Sequence, residues 1–334
     1  MISSINKLVS IIIVNHNGQM WLKDCFDSIY SQTYQNFEII IVDNASIDKS
    51  VNYILRNYPK VIIIRNKENL GFGRANNLGV KKVRGELIFF LNNDTVLEKN
   101  TLEKLLIYKK NNNLNIVGPK ILDYEGKDIH KRGKCSIDYT GYLGYGKKTF
   151  FIDGCALMID KKDFFDLGGF DEKYFMYSED IDLCWRAHLY GLQVEICGDV
   201  TVRHFGGGTG GYTQYEKNVT RVIPLIRRYE VEKNNLRNIL KNYNFINLLW
   251  VIPFFLLQSF IESLLYLTSG NFSAFLAVWK AFLWNVINFT DTRQRRKVIQ
   301  SKRKVTDDII LSMMSGGSNK LRALLTIGLP SFKE

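Results

Sequence analysis

The segment Phe89-Phe90-Leu91-Asn92-Asn93-Asp94-Thr95 joins an apolar run to a polar triplet that ends in a carboxylate. Leu87–Leu91 is too short for a helix, follows Gly85, and reads as a buried strand of a parallel sheet. Asn92, Asn93 and Asp94 then fall at the strand's carboxyl end. Open α/β sheets bind ligands just beyond those ends, so Asp94 stands where a hard cation and a diphosphate would be held. A second acidic group, Glu179-Asp180-Ile181-Asp182, follows Ser178 and opens a helical stretch. Ser178 reads as its N-cap, and carboxylates in a first turn stabilise a helix through the macrodipole. A carboxylate at that position is also suited to taking a proton from an attacking hydroxyl. Neighbours on a helix point in different directions, so Glu179 and Asp180 do not share one task, and Asp182 reads as structural.

The elements that must position these groups alternate through the first half. Strands are expected at Leu8–Val14, Phe37–Val42, Val61–Ile64, Leu87–Leu91 and Ile116–Val117. Helices are expected at Trp21–Ser31, Asp48–Arg56, Phe72–Val83 and Glu98–Lys110. The pattern implies a Rossmann-like, doubly wound, mostly parallel sheet. Each strand end carries polar or turn chemistry: Asn15-His16-Asn17-Gly18, Asp43-Asn44-Ala45-Ser46, residues 66–73, and Asn92-Asn93-Asp94. Four such ends on one rim make a site of nucleotide size. The stretch after the first strand is not G-x-G-x-x-G, and no G-x-x-x-x-G-K-[ST] occurs, which sets aside dinucleotide oxidoreductases and P-loop enzymes.

Taken together, residues 9–18, 42–46, 69–79 and 91–95 resemble, in order and spacing, the inverting family 2 glycosyltransferases of the GT-A fold, particularly their rhamnosyltransferase-like branch. In the second half, Gly168-Gly169-Phe170-Asp171-Glu172 with residues 177–186 resembles that branch's acceptor-side motif, and Val202-Arg203-His204-Phe205-Gly206-Gly207 its closing segment. The resemblance implies a donor side made by Asn15, Asp43, Asn44, Gly71, Arg74, Asn77, Asn92, Asn93 and Asp94, with Asp43 at the base or ribose and residues 71–77 closing over the nucleotide. Asp94 would bind Mg²⁺ or Mn²⁺ bridging the diphosphate, and His204 would be the second metal ligand. With Asn92 where an Asp-x-Asp pattern has its first carboxylate, the metal would keep several waters. Asp180 would be the catalytic base, with Glu179 orienting the acceptor. Arg186 would hold the diphosphate or pack its helix, and Trp185 would stack on a sugar or pack likewise. Asp153 and Gly154, on a segment resembling the strand that lines the donor sugar pocket, complete the acceptor side with Trp185. Glycines 206, 207, 208, 210 and 211 suit a segment that closes over bound donor.

The 334 residues are 46% hydrophobic and 23% charged, enough for a large α/β core or two domains. Five cysteines without a C-x-x-C pair, and no signal peptide ahead of them, point to a reducing cytosolic compartment. The net charge of +12 is uneven: from Val231 onward fourteen Lys and Arg face six Asp and Glu. Two domains follow, a GT-A catalytic domain over residues 1–230 (nucleotide-sugar half 1–120, acceptor half 121–230) and a helical membrane-associating region over 231–334. Within the latter, Phe245–Leu267 and Phe272–Phe289 form an apolar hairpin over 245–289 around Thr268-Ser269-Gly270-Asn271. Asn247, Pro253, Gln258 and Glu262 interrupt it, and basic residues flank both outer ends. Glu262 and Lys280 are expected to pair across the turn. The hairpin spans, dips into or lies on an anionic bilayer at the cytoplasmic face, or it is a soluble hairpin packed in a core. Tail segments at Asp307–Met314 and Leu321–Leu329 are suited to docking or to homo-oligomer contacts.

The expected activity is therefore transfer of a sugar from a UDP- or dTDP-sugar, rather than a GDP-sugar, to a hydroxyl of a lipid-linked saccharide, as in cell-envelope polysaccharide assembly. A polyprenyl-phosphate sugar synthase and a non-catalytic nucleotide-sugar scaffold of the same fold are the alternatives. The basic charge sits beside apolar helices and lacks an RNA-binding signature, so no nucleic-acid role is expected.

Overall fold

The computed structural model describes residues 6–128, 133–206 and 222–333, and the chain divides into two compact units. The first comprises residues 1–132, 151–187 and 192–209; the second comprises 133–150, 188–191 and 210–334. Residues 133–150, placed by sequence in the acceptor half, thus group with the C-terminal helices.

The chain opens with β1 (Val9–Asn15), α1 (Gln19–Tyr30), β2 (Phe37–Asp43), α2 (Ser50–Asn57), β3 (Ile62–Arg65) and α3 (Phe72–Val80). It continues with β4 (Leu87–Asn92), β5 (Thr95–Leu97), α4 (Thr101–Asn111) and β6 (Ile116–Leu122). A hairpin, β7 (Lys134–Ile137) and β8 (Leu143–Gly146), precedes β9 (Ala156–Asp160), α5 (Lys161–Leu167), α6 (Glu179–Leu189) and β10 (Val194–His204). Eight strands form one sheet in the order β3-β2-β1-β4-β9-β6-β10-β5. Strands β1 to β4 pair in parallel, as does β6 with β10, while β9 runs antiparallel between β4 and β6, and β5 pairs antiparallel with β10. Helices cover both faces, which is why β1 and β4 carry apolar runs: Ile11, Ile12, Ile13, Phe89 and Phe90 are fully buried.

The second unit is helical: β11 (Val222–Pro224), α7 (Leu225–Asn242), α8 (Phe245–Thr268), α9 (Phe272–Ile287), α10 (Phe289–Ser301), α11 (Asp307–Met313), α12 (Asn319–Ile327) and β12 (Ser331–Lys333). The side chain of Asn244 caps α8 through the Asn247 N–H, and Asn271 caps α9 through the Ala274 N–H. Helix α8 is long and apolar enough to cross a membrane, and α9 and α10 meet at a 67° bend. One face of α8 is nevertheless polar and buried, carrying Gln258, Ser259, Glu262 and Ser263.

That face corrects one expectation. Glu262 does not pair with Lys280, which is exposed. It pairs with Arg228 of α7, lies 2.7 Å from the Lys320 ammonium of α12, and accepts from the Tyr266 hydroxyl at 2.7 Å. Lys320 and Arg228 also hold Glu232 of α7, at 3.2 and 2.7 Å. A buried carboxylate is stable only where paired, and α7 with α12 supplies cations that α9 does not.

Candidate active site

The loops at the carboxyl ends of β1, β2 and β4 are joined by one hydrogen-bonded network. Asn93 donates to Asn15 Oδ1 (2.8 Å), and Asn15 in turn donates to Asp43 (3.2 Å) and to the Ser46 and Ser50 hydroxyls (3.0 Å each). Asn44 donates to the Gly71 carbonyl (3.0 Å) and accepts from Asn66 (2.8 Å). Asn15 and Asn44 are buried and fully engaged, so they set the shape of the loops rather than presenting polar atoms to a ligand. Asp43 stays in this network at 2% exposure.

Two glycines make the close approach possible. A Cβ on Gly18 would lie 2.0 Å from Asn93 Nδ2, and one on Gly71, at φ +77°, would lie 2.0 Å from the Phe175 carbonyl oxygen. The next residue, Phe72, donates its backbone N–H to that carbonyl at 2.8 Å. Asn77 closes the same tie by bonding both the N–H (3.0 Å) and the carbonyl (2.9 Å) of Phe170. It is a clamp between α3 and the Gly168–Asp171 turn, not a donor contact. Arg74, in the first turn of α3, is exposed.

Beyond β4, Asp94 meets His204. The three-residue strand β5 pairs with β10 so that Thr95 faces His204 across the ladder. His204 Nε2 lies 3.2 Å from Asp94 Oδ1 and 3.2 Å from Asn92 Nδ2. Burial works against charge on this imidazole, whereas Cys155 and Asp94 beside it favour charge, and its pKa is raised. Cys155 is itself raised by burial despite His204. A carboxylate and an imidazole at this separation can share one divalent cation, the remaining positions being left to waters and a diphosphate. Among the described residues no three His, Cys, Asp or Glu side chains gather into a fuller metal cage.

The second carboxylate lies at the start of α6. Its approach is strained: Tyr177 and Ser178 carry φ of +70° and +63°, outside the extended backbone an N-cap serine normally uses. Asn17 and Ala45, in the loops after β1 and β2, are also left-handed at +50° and +57°. Asp180 accepts the Gly154 N–H (2.9 Å) on one oxygen and the Ile181 N–H (2.8 Å) on the other. Surrounding protein and then the neighbouring Asp153 push its pKa up to about 6, against the pull of those N–H groups. Glu179 is buried at 7% exposure.

Residues 153–155 bring the two sites together. Gly154 holds Asp180, and the carbonyl of Cys155 accepts the Asn92 N–H at 2.9 Å. Asp180 and the Asp94–His204 pair thus flank the same entry to β9.

Two expected site residues lie elsewhere. Arg186 donates to Asp182 (3.0 Å) and to the carbonyls of Leu167 (2.5 Å) and Gly169 (2.9 Å), at 4% exposure. It bolts α6 to the turn after α5 and does not face a diphosphate. Trp185 is fully buried and packs α6 rather than stacking on a sugar. Gly206 is described, whereas the expected closing glycines 207, 208, 210 and 211 lie outside the described residues.

Sequence reasoning passed over Cys155 beside His204 and the stack of Trp21 on Phe205, with centroids 3.9 Å apart. Phe205 follows His204, and its N–H donates to the Asp94 carbonyl at 3.0 Å. The aromatic at Trp21, three residues past Gly18, was the available signal.

Known proteins resemble this chain in sequence and in fold. Residues 10–165 match the family "Glycosyl transferase family 2", and residues 131–206 match "N-terminal domain of galactosyltransferase". An uncharacterized glycosyltransferase of Rickettsia bellii is 32% identical over 193 residues, 55% of this chain and 28% of its own length. The low-salt glycan biosynthesis hexosyltransferase Agl10 of Haloferax volcanii is 25% identical over 212 residues, 59% of this chain and 66% of its own. The chain spans less than two thirds of the length of these relatives. Among solved structures, GalNAc-T7 with UDP, GalNAc and Mn²⁺ superposes with a TM-score of 0.60 at 16% identity, over 78% of this chain and 51% of that one. TarS residues 1–349 of S. aureus, in complex with UDP, does so at 0.53 and 15% identity, over 88% and 90%. Residues 10–165 thus match glycosyl transferase family 2, and the curled, mostly parallel sheet with carboxylates at its strand ends has the GT-A fold.

Proposed function

We propose that the protein transfers a sugar from a nucleoside-diphosphate sugar to a hydroxyl of a lipid-linked saccharide, with inversion at the anomeric carbon. The observation that carries this reading is the entry to β9, where Gly154 holds a carboxylate of raised pKa and Cys155 holds the Asn92–Asp94 turn. In a single displacement the acceptor oxygen forms a bond to the anomeric carbon while its proton passes to Asp180. The bond from that carbon to the diphosphate oxygen breaks, and its electron pair leaves with the nucleoside diphosphate. Asp43 and the turn at Gly71 bound the nucleotide, and Glu179 orients the acceptor. Asp94 and His204 would hold Mg²⁺ or Mn²⁺, whose contribution when bound is to neutralise the charge of the departing diphosphate. Support for a uridine-type donor comes from neighbours solved with UDP. The named glycan-biosynthesis relative supports a saccharide acceptor, and the sequence motifs suggest rhamnose as the sugar.

In this reading residues 1–230 act as the catalytic part. The apolar outer faces of α8 and α9, with exposed Phe245, Leu249, Trp250, Leu257, Trp279 and Leu283, hold residues 231–334 at the cytoplasmic face of an anionic membrane. The buried polar face of α8 favours a helix lying in the interface over one that spans.

The deciding experiment is nucleotide release from a panel of UDP-, dTDP- and GDP-sugars, with membrane lipid extract as acceptor source and Mg²⁺ or Mn²⁺ present. Metal-dependent release from one donor, lost in Asp94→Ala and in Asp180→Asn while Asp180→Asn still binds that donor, is the expected result. Undiminished turnover by Asp180→Asn would remove it as the base. Donor binding without release in the presence of extract would make the protein a scaffold.

A further inference from the structure

The second unit contains an apolar cavity of about 620 Å³ between α7, α8 and α9, whose walls include Leu240, Leu256, Phe260, Trp279, Val286 and Phe289. That volume is in the range of small-ligand sites. Its rim is continuous with the exposed apolar surface, since Leu256, Phe260, Val286 and Phe289 are all exposed. Two observations say what fills it. Asn285, only 3% exposed, lines the cavity. Its Nδ2 donates to the carbonyls of Lys233 and Ala281 at 3.0 Å each, and its Oδ1 has no hydrogen-bond partner. A buried acceptor left bare is costly, so the wall is matched to an occupant that brings an O–H or N–H. The other observation is charge. Phe289 begins α10, and Arg293, one helical turn further on, is exposed on the same side, followed by exposed Arg295 and Lys297.

We propose that this cavity takes one hydrocarbon chain of an anionic, hydroxyl-bearing membrane amphiphile. The chain lies against Leu256, Phe260 and Val286, a hydroxyl of the head satisfies Asn285, and the acidic group sits at Arg293. This rests on the reading that the α8–α9 face meets the membrane, and it adds that a single lipid is drawn out of the bilayer into the protein.

The test uses myristoyl lysophosphatidylglycerol below its micellar concentration, read by displacement of cis-parinaric acid from the full chain. Saturable binding of about one molecule per chain is expected. Val286→Trp, an exposed-site change that fills the cavity, should weaken it by about tenfold with the unfolding temperature unchanged. Arg293→Glu should weaken it by about fivefold while leaving binding of neutral monomyristoylglycerol alone. Val286→Trp binding as tightly as wild type, or absence of saturation, would overturn the inference. So would light scattering that shows a dimer split by Val286→Trp, since the cavity would then be a contact between copies. Sedimentation with anionic vesicles separates the two readings: sedimentation without amphiphile binding sinks the cavity alone, and binding without sedimentation sinks the membrane reading alone.

Discussion

Asp180 shows how a single side chain is tuned against its own hydrogen bonds. Two N–H groups favour its charged form, yet the protein around it and Asp153 raise its pKa to about 6. As the proposed base it must be deprotonated, so kcat/KM should fall about tenfold per pH unit below about pH 6 and level off above it, a profile measurable with saturating metal. The same shift has a stability sign. A carboxyl that binds its proton more tightly folded than unfolded weakens the fold as pH rises from its ordinary value of 3.8 through about 6. Asp180→Asn should therefore raise the unfolding temperature at pH 8 and leave it nearly unchanged at pH 4, while abolishing transfer. At this scale the recognisable sequence blocks singled out Asp94, His204 and Asp180, and the structure sets Asp94 beside His204. Arg186 and Asn77 were misleading because an arginine or asparagine facing backbone carbonyls has the same sequence signature as one facing a ligand.

Among the elements, β1 to β4 were readable to within a residue at either end, since burial on both faces demands continuous apolar runs such as Ile11–Val14 and Leu87–Leu91, whereas β6 runs five residues past the expected Val117. The pairing of β5 with β10 was not. A three-residue strand carries no periodicity, and its partner lies more than a hundred residues away in sequence, although this ladder, with the Phe205 N–H bond to the Asp94 carbonyl, sets His204 beside Asp94. The antiparallel insertion of β9 was likewise hidden, because alternation is weak in a strand buried on both sides. The turn before α3 depends on Gly71, whose φ of +77° and contact with the Phe175 carbonyl leave no space for a methyl group. Gly71→Ala should cost about 1–3 kcal/mol in denaturant unfolding and raise KM for the donor more than it lowers kcat. An unchanged KM would separate this turn from donor binding.

Across the whole molecule, the helices of the second unit are organised by charge as much as by apolar contact. Glu232 is buried among Arg228, Lys320 and the Tyr142 hydroxyl. Burial opposes its ionisation, but Arg228 and Lys320 outweigh it and hold its pKa at about 2. The stability this pairing contributes is complete above the ordinary value of 4.5 and is lost as pH falls toward about 2, so acid unfolding should begin in that window. Lys320→Ala, which leaves Glu232 and Glu262 short of a cation, should destabilise by about 3–5 kcal/mol in equilibrium unfolding. Sequence reading found the hairpin and its basic flanks, but it paired Glu262 within the hairpin because it had no means of seeing that α7 and α12 close over the polar side of α8. That closure bears on how the protein would live at a bilayer. A helix whose charged stripe is already neutralised inside its own unit has nothing to rearrange on meeting lipid and nothing to rescue on leaving it. Attachment would then be a partition equilibrium set by the area of anionic surface on offer, and one copy of the enzyme would serve many carriers by hopping between vesicles on a timescale that dilution experiments can follow.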